Sequence, residues 1–545
     1  MKFHGSFILV LHSHIPYVVG QNRLEEEMLL DATIETYIPI LDALNRLVDE
    51  GISPQVTIGI SPVLAEQLAH PTFKTQLSEY CELKAEYARQ DSAEFKADHS
   101  HLHWLAQRWE TFYTETHRRF NETYKTDIGG AFKTLQADNH IELITCAATH
   151  PYLPALSKET SIEAQIKLAV QTHRHHFGRP PRGIWVPECG YRPAGQWRAR
   201  YTSRQSEPSK FRDGIETVLS ENELEFFVID EHQLQKAGPT DLHKTPLDTY
   251  YVGGSDIPKQ PVSVFTRDSN LSEQVWLKQR GYPGNGAYLD FHKRHAEGVH
   301  RYWKVTDEDV PMHQKQPYHP NDAADKIAEH AGHYKWLIAQ SLRTHFEHTG
   351  QAKMIMTAFD TELFGHWWFE GPTWLYTLIK YIDADPEIRT TTCSQYLEQQ
   401  PTYSWIYLPE SSWGANFDSS TWLNPEVEWT WERIYHAEHE MQQLAKAFGA
   451  KADPTLQRIL NQAIRELLIL QASDWQFMVT NWSTRDLAEK RLVERHEDFK
   501  RLAKLAWDYG GGRAVSQREW HFLHECEQLN QIFRDVDINW YIEKE

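Results

Sequence analysis

Four short apolar runs in this chain end on a histidine or a carboxylic acid, with helix-period sequence between them. "GSFILVLHSH" ends in His12 and His14, "ITCAATH" in His150, "GIWVPE" in Glu188, and "MIMTAFDTE" in Asp360 and Glu362. Short apolar runs bounded by turn residues read as buried strands. Two further runs, "SPQVTIGIS" and "EFFVID", continue the series. Stretches such as "DATIETYIPILDALNRLVDEG" read as amphipathic helix, here ending at Gly51. Strands alternating with helices specify a parallel sheet joined by right-handed crossovers. The chain therefore reads as an incomplete or complete β/α barrel, whose chemistry belongs at the strand C-termini. The titratable residues stand at those ends.

The pattern is interrupted twice. Residues 77–128 are polar, aromatic and helical in period, and read as an insertion. From residue 426 onward "TLQRILNQAIRELLILQASDW" and "TRDLAEKRLVERHEDFKRLAKLAWDYGGG" read as helices only. The expected division is barrel over 1–76 and 129–425, helical insertion over 77–128, and an all-α domain over 426–545. The segment 200–213 has the composition of a polar surface loop.

Composition narrows the partners. A formal net charge of −20 argues against nucleic acid or an anionic membrane surface, which need clustered Lys and Arg. A neutral substrate fits better. Five scattered cysteines without CxxC spacing suit a reduced compartment and exclude a thiolate zinc site. No apolar run is long enough to span a bilayer, and the N-terminus lacks a signal-peptide pattern. A soluble cytoplasmic protein is expected.

Glu188 and Asp360, from different strands, are the pair that glycosidic-bond chemistry needs: one acid to attack or stabilise the sugar cation, one to protonate the leaving oxygen. Cys189 reads as a small packing residue, and Glu362 as a group that orients its neighbours. The HxH of "LHSHIPY" also fits a metal pair, which would make the protein a metal-dependent carbohydrate deacetylase. Against that reading, no further ligand motif stands at another strand end. Without metal, neutral imidazoles would hydrogen-bond sugar hydroxyls. Among the 20 tryptophans, Trp367, Trp368, Trp413, Trp422, Trp429 and Trp431 cluster late in the barrel region. Trp413 and Trp422 lie among Ser, Gly, Asn and Asp, so exposed indoles for sugar stacking are expected there. Trp429 and Trp431 precede a helix and read as structural.

The stretches "HSHIPY", "GIWVPECGY" and "TAFDTELFGHWWFEGP" resemble the signature regions of glycoside hydrolase family 57, specifically its 1,4-α-glucan branching enzymes. "THPYLPAL", "FTRDSNLSEQVWLKQRGYPG", "SSWGANFDSSTWLNPE" and "LLILQASDWQF" extend the similarity in the same order. The resemblance implies a (β/α)7 barrel with a helical insertion and a C-terminal helical domain. It implies a retaining mechanism on α-1,4-glucan with no metal and no cofactor. Glu188 matches the nucleophile and Asp360 the general acid/base. His12, His14 and His150 are then expected at the donor sugar, Trp276, Trp413, Trp422 and Asp474 along the glucan path, and Arg267 and Asp268 in support.

Two departures bear on the acceptor side. Branching members carry Trp soon after the first motif, where this chain has Met28 in "EEEML". They also carry a loop tyrosine that shields the intermediate from water, whereas the comparable segment 233–250 has no Tyr before Tyr250. An α-amylase-like hydrolase, a 4-α-glucanotransferase and a glucan-binding protein without catalysis are the alternatives on the same residues.

Overall fold

The computed structural model describes residues 2–543 except 201–208, 254–259, 278–280, 296–298, 308 and 450. Seven strands form the barrel: β1 (Gly5–Ser13), β2 (Val56–Ile60), β3 (Ile141–Cys146), β4 (Gly183–Trp185), β5 (Phe226–Asp230), β6 (Val262–Arg267) and β7 (Lys353–Asp360). They pair in parallel in the order β7-β1-β2-β3-β4-β5-β6. The Asp268 N–H donates to the Met356 carbonyl at 2.8 Å and links β6 back to β7. Sequence reading supplied six of these strands. It missed β6, where Ser263, Thr266 and Arg267 dilute the apolar run of "VSVFTR".

Side chains alternate between the two faces of a strand. Ile8, Val10, Ile144, Cys146, Trp185, Phe226, Val228, Phe265, Met354, Met356 and Ala358 form one buried cluster that fills the barrel. The intervening residues, such as Leu9, Leu143, Phe227 and Ile355, belong to the second, larger core shared with the helices. The same alternation fixes what comes next. After Val10 the inward face of β1 presents His12, after Val228 that of β5 presents Asp230, after Phe265 that of β6 presents Arg267, and after Ala358 that of β7 presents Asp360. The polar mouth of the barrel is thus the continuation of its apolar interior by one more residue per strand.

Two helices, α1 (Pro71–Phe95) and α2 (Ser100–Arg118), pack against each other between β2 and β3. After the barrel come α3 (Glu428–Phe448), α4 (Pro454–Leu470), the short α5 (Asp474–Thr480) and α6 (Arg485–Gly510), which stops at the glycine run Gly510–Gly512. The helices are bonded to the barrel through its loops. The Ser473 N–H donates to the His150 carbonyl (3.0 Å) and the Thr149 hydroxyl to that of Leu468 (2.5 Å). Gln165 joins Thr149 to Gln471, and Gln471 joins Glu438, so the contact is a buried, paired polar network. Of the 200–213 segment, residues 201–208 lie outside the described residues. Its end, Lys210–Arg212, is a strand paired antiparallel to Gly195–Trp197, not irregular loop.

Candidate active site

A cleft of about 810 Å³ opens at the strand C-termini. His12, His14, His150, Glu188, Arg267, Trp276, Asp360, Trp413 and Asp474 all line it. Nine of the eleven residues expected at the site are therefore brought together. Asp268 instead caps the helix Ser269–Trp276, accepting from the Leu271 N–H at 2.8 Å, and Trp422 is the other exception. It is 1% exposed, stacked on Tyr152 with centroids 4.7 Å apart, and absent from the cleft wall. Its polar neighbours suggested exposure, but Gly414 lies flat on the indole: a Cβ there would come within 2.7 Å of it. Trp422 is a buried prop behind the loop that carries Trp413. Trp431, fully buried, donates its indole N–H to the Trp422 carbonyl at 2.7 Å, the structural role read from sequence.

β4 ends at Trp185, two residues before Pro187, whose missing N–H ends ladder pairing. A single turn follows in which Glu188 and Cys189 have φ of 60° and 47°. Such left-handed conformations cost an L-residue about 1 kcal/mol or more each. The turn sends the Cys189 side chain into the barrel core and the Glu188 carboxylate into the cleft. There the Trp413 indole N–H donates to Oε2 at 2.7 Å, and the Ser473 hydroxyl to Oε1 at 3.3 Å. The Trp413 backbone N–H also donates to the Glu188 carbonyl at 3.0 Å. Burial pushes the Glu188 pKa up to about 7, helped by the Asp474 charge and opposed by the Trp413 hydrogen bond.

Asp360 faces His12 in the β1–β7 register. Burial, and then the charges of Glu362 and Glu188, hold its carboxyl well above the usual range, with Arg267 opposing. Arg267 is held by Asp230 at 2.8 Å and lies 5.1 Å from the centre of the Trp413 ring. Glu362 accepts hydrogen bonds from the Tyr37 hydroxyl and from the His14 N–H, the latter at 3.1 Å, so it ties β7 to β1.

The histidines form a stack. His14 lies on His150 with centroids 4.1 Å apart and planes 11° apart, and His12 lies on Trp185 at 4.9 Å. The Nε2 atoms of His12 and His150 share a hydrogen bond of 3.0 Å. His14 reaches Ser61 through Nδ1 (2.9 Å) and Asp474 through Nε2 (3.1 Å). Burial and neighbouring imidazoles hold His12 and His150 well below the ordinary histidine pKa, so both are neutral at neutral pH. Ligand atoms of His14, His150 and Asp474, and of His12, Cys146 and His150, come within 4.8 Å of one another. The stack does not suit a metal. Imidazole binds metal in its ring plane, and parallel planes 4.1 Å apart cannot both contain one ion. The deacetylase reading loses the His14–His150 pair here.

Sequence reasoning passed over Asp230, Ser473, Tyr37, Phe417 and Phe477. Asp230 had a signal, being the last residue of the recognised run "EFFVID". Ser473 and Phe477 had none in the barrel, because they arrive from the helical region more than a hundred residues later.

A seven-stranded parallel barrel whose mouth holds two acids of raised pKa among histidines and indoles defines an enzyme class that works on carbohydrate. Comparison with known proteins makes this specific. The Glycosyl hydrolase family 57 model matches residues 8–409, and the model of the 1,4-alpha-glucan branching enzyme C-terminal region matches residues 433–541. The chain belongs to glycoside hydrolase family 57. It is 38% identical over 554 aligned positions to a 1,4-alpha-glucan branching enzyme of Thermococcus kodakarensis, covering 99% of this chain and 78% of the relative. It is 30% identical to a probable 1,4-alpha-glucan branching enzyme of Mycobacterium tuberculosis, over 94% of each chain. Among solved structures, the family 57 branching enzyme of Pyrococcus horikoshii superimposes with a TM-score of 0.92 at 36% identity, over 100% of this chain and 98% of that one. The alpha-amylase AmyC of Thermotoga maritima gives 0.84 at 26%, over 100% of both.

Proposed function

We propose that this protein is a retaining 1,4-α-glucan branching enzyme that builds α-1,6 links in a glycogen-like polymer of the cytoplasm. The observation that carries the reading is the pairing of Glu188 and Asp360 in one cleft, beneath a helical region of branching-enzyme type. Ionised Glu188 attacks the anomeric carbon of an α-1,4-glucan. The C1–O4 bond breaks as Asp360 gives its proton to the departing oxygen, leaving a glycosyl ester on Glu188. Asp360, now a carboxylate, takes the proton from the 6-hydroxyl of an acceptor glucan. That oxygen attacks C1, the C1–O6 bond forms and the ester breaks. Mutual repulsion keeps one proton on the pair before the first step and again after the second, while the glycosyl ester stage holds none. Neutral His12 and His150 each offer a donor and an acceptor, which suits sugar hydroxyls.

Branching requires that water be kept from the ester. Tyr250 does not serve that purpose: it is 3% exposed in the strand Tyr250–Val252, its hydroxyl bonded to Thr245. Phe417, 40% exposed at the cleft, takes the place of such a shield. It stacks on His232 at 4.5 Å, and His232 immediately precedes the segment where a shielding loop is expected.

The deciding experiment is incubation with amylose, isoamylase debranching and NMR. New α-1,6 signals with little rise in reducing ends are expected. Reducing ends without new branches would instead mean a hydrolase, the reading that Met28 in the cleft favours.

A further inference from the structure

The helical wall of the cleft extends past the groups used so far. α5 contributes Asp474, Phe477 and Met478, and the turn that follows contributes Ser483 and Thr484. Immediately before those two residues stands Trp482, an indole 71% exposed. The turn that carries it is pinned. The Asn481 N–H donates to the Phe477 carbonyl at 3.0 Å and that of Ser483 to Met478 at 3.1 Å. Trp482 and Thr484 have φ of 54° and 53°, a conformation that bulky side chains rarely adopt. The ring is also braced. The Arg485 guanidinium sits 4.4 Å from its centre, and is itself held by Glu426 at 2.6 Å and Glu489 at 2.7 Å. A guanidinium on an aromatic face is a favourable contact that fixes the ring's orientation.

A large ring braced from one side, with its other face open to solvent beside a catalytic cleft, presents a fixed flat surface for stacking. Two carboxylates already neutralise Arg485, so the patch recruits no anion. The apolar face of a pyranose ring suits the open indole, and the two residues that follow it line the cleft. We propose that Trp482 is an outer platform for the same α-glucan chain, engaged when the substrate is long enough to leave the cleft. This rests on the α-glucan reading above. The platform would set how strongly long chains are preferred over short ones.

The test is the Trp482→Ala variant of the full chain, assayed on amylose and on short maltooligosaccharides. Loss of one stacked ring should raise KM for amylose about fivefold with kcat unchanged. Rates on the short substrates should stay at the wild-type level, and Trp482→Tyr should restore most of the amylose affinity. Equal KM values for wild type and Trp482→Ala on amylose would overturn the proposal. Equal losses on long and short substrates would do the same, because they would mean damage to the cleft itself. Sedimentation velocity covers the remaining occupant: dimers that vanish in Trp482→Ala would assign the patch to a second copy of this chain. A wild type without activity on amylose is a separate result, which removes the α-glucan reading and the platform with it.

Discussion

The two acids of the cleft are held in opposite ways. Glu188 is fixed on every side, by an indole N–H at 2.7 Å, a serine hydroxyl at 3.3 Å and a strained turn whose carbonyl is itself bonded. Asp360 ends a regular strand, and among the described residues its carboxylate accepts no hydrogen bond; burial acts on it first, then the charges of Glu362 and Glu188, with Arg267 opposing. The difference follows from the work proposed for each. A nucleophile bonds one carbon along one line, so fixing it shortens the search for that geometry. An acid/base must protonate one oxygen and then deprotonate another. Hydrogen bonds to it would have to be broken at each exchange.

The comparison breaks most directly at the acids themselves. Glu188→Gln and Asp360→Asn should each lower turnover by at least about a thousandfold, with far-ultraviolet circular dichroism unchanged. The two losses should differ in kind. With an activated glycosyl fluoride donor, Asp360→Asn should accumulate a glycosyl ester on the peptide containing Glu188, seen by mass spectrometry. Glu188→Gln should accumulate none. An ester on Asp360 would reverse the assignment.

A second test uses stability. The folded-state pKa of Glu188 is raised to about 7 from an ordinary 4.5. Below pH 4.5 the carboxyl is protonated both folded and unfolded, and the residue costs nothing. Between 4.5 and about 7 the unfolded chain releases a proton that the folded chain keeps, so stability falls with rising pH, and above about 7 the loss is complete. A shift of this size corresponds to an upper bound of about 3 kcal/mol. Neutral Glu188→Gln should therefore melt above wild type at pH 8, and the gap should close by pH 4. Equal melting temperatures at pH 8 would show that the carboxylate is not strained by its site.

Trp413→Phe isolates the strongest hydrogen bond to the nucleophile. Losing a hydrogen bond to a charged group is worth about 1.5 kcal/mol or more, so kcat should drop about tenfold. The sign of the pH effect is fixed as well. The indole stabilises the ionised form and lowers the Glu188 pKa; removing it raises that pKa and moves the acidic limb of the rate profile to higher pH. A limb that stays put would leave Trp413 only its contact with substrate.

The two acids also differ in how far the sequence disclosed their surroundings. Asp360 and His12 were legible because strand period is two and each continues an apolar run. The run of β6 is diluted by Ser263, Thr266 and Arg267, so the strand that delivers Arg267 went unseen. Glu188 itself was legible from the same kind of run, but of its partners Trp413 and Asp474 were expected only through the family resemblance, and Ser473 not at all. Ser473 and Asp474 reach the cleft from helices that period alone marks as helical, without saying where they dock. Burial in loops was the least legible. Trp413 and Trp422 share one polar loop, yet one lines the cleft and the other is sealed behind Gly414. Composition describes a loop's neighbours in sequence, whereas exposure depends on what folds over it.

The smallest expected effect lies on the acceptor side. Met28 lines the cleft from the helix Arg23–Ala32, which a bidentate pair between Arg491 and Glu25 docks onto α6. That clamp fixes the height at which residue 28 stands over the mouth, so a change there alters the wall and not the helix. Met28 is flexible and apolar, and covers the cleft without a flat face for an acceptor sugar. Met28→Trp adds such a face, and one stacking contact is worth about 1 kcal/mol or less. The ratio of new α-1,6 links to new reducing ends should rise no more than about fivefold, with total bond cleavage unchanged. An unchanged ratio would place the acceptor away from Met28. A fall in total cleavage would mean that residue 28 contacts the donor sugar, on the side where Glu188 is locked.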